Sequence, residues 1–219
     1  MNSRLKKYAI LGMLTALAYL VMAVGRIPVI LFLKYDPKDI VIVIGGFIFG
    51  PLSAFVISAV VSVVEMFTVS DTGVIGLIMN VISSCAFACT AAFIYTRRKT
   101  LKFAVIGLLS GCVLMTATML LWNYLITPLY LGYPREVVAK MLIPYFLPFN
   151  LLKSIINASL TMLLYKPLVE YLRRHDFLAP STASAADKPA KKITTGVALV
   201  SLFVLVTCIL LILAWQGKI

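Results

Sequence analysis

The sequence predicts an all-α integral membrane protein, a bundle of six helices followed by one additional C-terminal transmembrane helix. Three observations carry this. The chain of 219 residues is 62% hydrophobic and only 13% charged, with a mean hydropathy of +1.02. Soluble domains are about half apolar and a quarter charged. Several apolar runs approach or exceed the roughly 18 residues that cross a bilayer. Lipid requires backbone polar groups to be satisfied within each segment, so these runs are helices. The strand-like alternation of a membrane barrel is missing.

The first helix covers about 8–25. Its flank is basic, as in a signal peptide, but no small-residue cleavage site follows, so it reads as a retained helix. The second, 40–50, is too short to span alone. It ends at Gly50-Pro51, and proline suits the first turn of a following helix. Helices 40–50 and 52–69 therefore form a tight hairpin. Further helices follow at 74–95, 103–127 and 144–166. The outer loops 26–39 and 128–143 carry prolines, aromatics and charges, and each reads as a lid. Residues 1–178 form the six-helix unit, and 179–193 are a flexible linker rich in small residues. The uniformly apolar last helix falls in 194–216. No internal repeat is visible, so inverted-repeat transporter folds gain no support.

The net charge of +12 is not a nucleic-acid signature, because the basic residues cluster beside the apolar runs. With the N-terminus cytoplasmic, thirteen Lys and Arg lie inside and six outside, with Lys153 left in the membrane. This is the positive-inside pattern of a multi-pass cell-membrane protein.

Enzyme readings start low. GGFIFG (45–50) mimics phosphate-loop glycines, but Pro51 and Leu52 stand where Lys and Ser/Thr are required, so packing explains it better. HExxH and GxSxG are both absent. The four cysteines lie in apolar segments and the single histidine, His175, in a basic tail, so no metal set or cofactor is expected.

The polar residues inside the membrane are more informative. Asn150, Lys153 and Asn157 follow i, i+3, i+7 spacing and project from one helix face. A lysine at mid-bilayer costs about 2.5–3.5 kcal/mol on the insertion scale. Lys153 alone reads equally as a snorkelling residue or a ligand group. The two amides aligned with it favour a polar stripe facing the bundle interior. Asn123 sits near the same depth. Asn80 reads equally as a ligand contact or a helix-to-helix hydrogen bond. Glu65 either lies near the outer interface or pairs with Lys153. Asp36 and Asp39 precede the second helix; Asp39 suits an N-cap, or with Asp36 offers carboxylates to a pocket. Amides, carboxylates and one ammonium in an apolar, aromatic-lined site suit a small, neutral, flat molecule better than an ion. Gly12 and Ala16 form a small-xxx-small pair in the first helix, whose partner by sequence alone is more simply internal.

In order and spacing, LKYDPKDI, GPLSAFVISAVVS, TGVIGLIMN, NYLITPLY and PFNLLKSIIN resemble the riboflavin-binding S component of energy-coupling factor (ECF) transporters, over about residues 5–175. The resemblance implies a six-helix S-component bundle that binds riboflavin from outside, beneath the first loop. It implies docking onto a membrane T subunit driven by two cytoplasmic ATPase subunits, which consume the ATP. By position it puts Asn123, Asn150 and Lys153 on the isoalloxazine ring, with Asp39 and Asn157 close by. Gly12 and Ala16 match the family's AxxxA docking face, with glycine for the first alanine. The seventh helix departs from the pattern. S components for folate, thiamine or a pyridoxine-type compound share the fold and remain alternatives. A membrane enzyme or sensor using Lys153 and Glu65 is a third reading.

Overall fold

A computed structural model describes residues 3–30, 33–174 and 191–215. Helix α1 (Ser3–Gly25) leads into an antiparallel hairpin, β1 (Ile27–Ile30) and β2 (Leu33–Tyr35), which pairs Ile27 with Tyr35 and Pro28 with Lys34. The expected first loop is thus a short ribbon, as its β-branched and aromatic residues allow. Helix α2 (Lys38–Phe49) follows, then α3 (Pro51–Thr68). Gly50 turns the chain between them with a φ of 96°, a conformation costly for other residues, and Pro51 starts α3.

Helix α4 (Gly73–Ser84) continues through a π-helical turn, Cys85–Cys89, into α5 (Thr90–Arg98). Helix α6 (Leu101–Leu131) is capped at its start by the Thr100 side chain. Helix α7 (Arg135–Met141) runs through a second π-helical turn, Leu142–Phe146, into α8 (Leu147–Arg174). Helix α9 is Lys191–Trp215.

Among the described residues, six helical rods are long and apolar enough to cross a membrane. Helix α2 is not one of them: twelve residues reach about 18 Å at 1.5 Å each, against a core of about 30 Å. Instead α2 is buried from Lys38 to Phe47 and packs against α1, α3, α5 and α8. Lipid supplies no hydrophobic drive between helices, so close packing of small residues must hold them. A Cβ on Gly45 would lie 2.5 Å from Ile57 Cδ1, and one on Gly46 2.8 Å from Ala92 Cβ. GGFIFG is a packing surface. At one end of the bundle Phe47 stacks on Tyr95 at 4.3 Å and meets Tyr165 edge-on at 5.4 Å.

Two sequence expectations need correction. The outer loop 128–143 does not exist as a lid: α6 continues to Leu131 with Pro128 inside it, and helix resumes at Arg135. Gly132, at φ 68°, ends α6 with the left-handed cap that glycine favours, leaving a connection of 132–134. Asp39 is not an N-cap; Pro37 holds that position, with no side-chain cap bond. The linker at 179–190 and His175 lie outside the described residues, and α9 begins within the expected linker, at Lys191.

Candidate functional site

A cavity of about 260 Å³ lies at the end of the bundle that carries the hairpin, bounded by β2, α4, α6 and α8. Its apolar wall includes Met79, Met119, Ile126 and the rings of Trp122, Tyr130 and Phe149. The polar wall includes Asn80, Asn123, Asn150, Lys153, Asp36 and Glu65. Gly76 lets α4 curve closely behind it, because a Cβ there would strike Thr72.

Two of the three wall amides, Asn123 and Asn150, are anchored by their own helices. Asn123 Nδ2 donates to the Met119 carbonyl at 2.7 Å, and Asn123 Oδ1 accepts from Thr127 Oγ1 at 2.9 Å. Asn150 Nδ2 donates to the Phe146 carbonyl at 2.7 Å, at the end of the π-helical turn. Each amide carries two N–H donors. Among the described residues, anchoring leaves one donor on each, plus the Asn150 oxygen.

Lys153 does not snorkel. It is buried, with Nζ 3.5 Å from Asp36 Oδ2 and 3.8 Å from Asp39 Oδ2. Asp39 is fully buried at the start of α2, where the helix dipole favours a carboxylate. It accepts hydrogen bonds from Ser84 Oγ and, at 3.3 Å, from Asn157 Nδ2. Asn157 Oδ1 in turn accepts from the Tyr35 hydroxyl at 2.9 Å, tying the hairpin to α8.

Glu65 does not pair with Lys153. Its two oxygens are taken by Arg26 and Lys38, and the Lys38 ammonium also lies 3.9 Å from Asp36 Oδ1. Three cations and three carboxylates thus form one network of zero formal charge. Burial alone would raise the Asp36 pKa. Lys153, Lys38 and Arg26 outweigh that, and its carboxyl sits below the ordinary value. Asp36 Oδ1 has no hydrogen-bond partner among the described residues and belongs to a side chain on the cavity wall.

Asn123, Asn150, Lys153, Asn80, Asp36 and Glu65 therefore line one cavity. Asp39 and Asn157 are fully buried and outside the cavity lining, where Asp39 pairs with Lys153 and Asn157 bonds Asp39. The reason is depth: seven residues place Asn157 about 10 Å further along α8 than Asn150. Gly12 and Ala16 face outward from α1, with nothing within 4 Å of a Cβ built on Gly12. The internal partner that sequence alone favours is not observed. A count of flanking charges takes Arg26 and Lys38 as solvated, and no sequence pattern singles out Tyr35 or Ser84. The one visible signal is Lys38 standing between two aspartates in YDPKD.

Fold and site together define a class: a membrane-embedded receptor for a small molecule, with a ligand-sized cavity at one end and a packed aromatic cluster at the other. Within that class the chain belongs to the family of ECF transporter substrate-specific components, whose model matches residues 6–165. It is a multi-pass membrane transport component, not an enzyme. It is 28% identical over 186 residues to the riboflavin transporter FmnP of Bacillus subtilis, covering 78% of this chain and 97% of the relative. It is 25% identical to riboflavin transporter RibU of Staphylococcus aureus, covering 77% and 93%. A solved S component of a bacterial ECF transporter superposes with a TM-score of 0.66 at 25% identity, covering 78% of this chain and 99% of that one. Helix α9 lies beyond the matched segment.

Proposed function

We propose that the chain captures riboflavin from outside the cell and passes it to an ATP-driven importer built from a membrane T subunit and two ATPase subunits. The carrying observation is that Asn123, Asn150 and Lys153 line one cavity together with the rings of Trp122 and Phe149. Riboflavin is a flat ring system whose polar edge carries carbonyls and one N–H. An ammonium and two amides complement the carbonyls, and the Asp36 carboxylate on the cavity lining is an acceptor type suited to the N–H or a ribityl hydroxyl. The relatives named as riboflavin transporters support this choice.

The zero net charge of the ion network favours a neutral ligand. That speaks against folate, with its carboxylates, and thiamine, with its fixed cation. A pyridoxine-type compound is the second reading. The enzyme or sensor reading requires a Lys153–Glu65 pair, and Glu65 is engaged by Arg26 and Lys38 instead.

The positive-inside count supports a cytoplasmic N-terminus. The binding unit lies within residues 1–178, and α9, Lys191–Trp215, is a separate transmembrane helix. Gly12 and Ala16 form the T-subunit contact, a role supported by their exposure. Helix α9 packs on α8, and Gly12 and Ala16 stay exposed among the described residues.

The test is a riboflavin titration of the purified chain. Quenching of flavin fluorescence at sub-micromolar ligand, with pyridoxine unable to compete, is the expected result. No quenching overturns the proposal.

A further inference from the structure

A second cavity, about 490 Å³, lies between α6, α8 and α9. Among the described residues, no charged side chain lines it. On α6 it runs from Val105 to Cys112 and on α9 from Gly196 to Val204, about 10–12 Å at 1.5 Å per residue. One leaflet of the hydrocarbon core is about 15 Å deep. The cavity therefore matches a chain from a single leaflet and is too short for another transmembrane helix.

The sequence beyond its basic-side end is equally specific. Lys102 stands three residues before Val105 on α6, position 166 four after Met162 on α8, and position 192 four before Gly196 on α9. All three positions are lysines. At helical spacing each lies one turn beyond the lining, on the lining face. Three helices line one apolar cavity, and each has a lysine position one turn beyond the same end. Basic pockets between transmembrane helices on the cytoplasmic side bind anionic headgroups.

We propose that this crevice is a binding site for an anionic phospholipid of the leaflet on the basic side, with one acyl chain in the cavity and the phosphate at the end where helix positions 102, 166 and 192 are lysines. The lipid fills the gap between the six-helix bundle and α9. The proposal does not rest on the identity of the transported ligand.

The test uses the full chain reconstituted in equal parts of dioleoyl phosphatidylglycerol and dioleoyl phosphatidylcholine, extracted in mild detergent and analysed by native mass spectrometry. The expected result is one phosphatidylglycerol retained per chain, preferred over phosphatidylcholine by about tenfold or more. Replacing the three lysines together (K102Q, K166Q, K192Q) should bring the two lipids to parity. Gly196→Leu should remove both lipids, because it fills the cavity from a position with nothing within 4 Å of a Cβ. Each variant is first shown monodisperse with a wild-type melting temperature; if Gly196→Leu fails that check, Val200→Leu serves in its place. Equal retention of the two lipids by the unmodified chain overturns the proposal. So does a preference that survives the triple substitution, or bound lipid that survives filling the cavity.

Discussion

Lys153 Nζ stands 3.5 Å from Asp36 Oδ2, a contact that closes 117 residues of chain and joins the hairpin end to α8. The same ammonium lines the cavity. One residue therefore anchors the hairpin and presents a cation to the cavity.

Replacing Lys153 by Met keeps the length of the side chain and removes the charge. A hydrogen bond to a charged group is worth about 1.5–3 kcal/mol, so riboflavin affinity should fall roughly 10- to 150-fold. The change makes α8 more apolar, so membrane insertion should continue. Fluorescence titration checks this, and an unchanged dissociation constant would leave Lys153 a purely structural cation.

Glu65 is the only carboxylate that Arg26 bonds among the described residues, and it holds Lys38 as well. Breaking a buried pair by removing one partner costs about 3–5 kcal/mol. Glu65→Gln should lower the melting temperature accordingly, and Lys38→Met should do likewise. The double variant should lose less than the two single losses added together, since it removes a cation and an anion at once. Strict additivity would mean the two side chains do not interact.

The pH dependence follows from Asp36, whose carboxyl lies below its ordinary value. A depressed folded value means the unfolded chain binds the proton first. The stabilisation is complete above about pH 4, the usual aspartate range, and is lost as pH falls through the lower folded value. Melting curves of wild type and Asp36→Asn should therefore run parallel from pH 8 to 5 and converge under acid. A wild-type advantage that grew as pH fell would contradict the assignment.

Much of this site is legible in the sequence, and the remainder is hidden for physical reasons. Asn150 and Lys153 are readable because polar groups at helical spacing in an apolar run stand out against lipid. The same stripe takes in Asn157, because spacing reports direction around a helix but not depth beneath a cavity floor. Arg26 and Lys38 are hidden for another reason. Their partner Glu65 is 39 and 27 residues away, and a flank-charge count treats any cation between helices as solvated. The α6–α7 connection reads as a loop because Pro128 has the look of a loop residue. Pro128 sits inside the last turn of α6 at the cost of one i→i−4 hydrogen bond, and Gly132 supplies the true end.

Binding and transport should come apart at Ala16. This residue is exposed on α1, four residues from Gly12, so a large side chain there meets no part of its own bundle that is already packed. Small residues at such a spacing let two helix backbones approach closely in a membrane, and a bulky group holds them apart. Ala16→Trp should leave riboflavin quenching and melting temperature unchanged, while uptake into cells that hold the T and ATPase subunits falls to background. Gly12→Leu should act in the same direction, more weakly. If Ala16→Trp lost binding and uptake together, the residue would be packing inside the bundle rather than facing a partner.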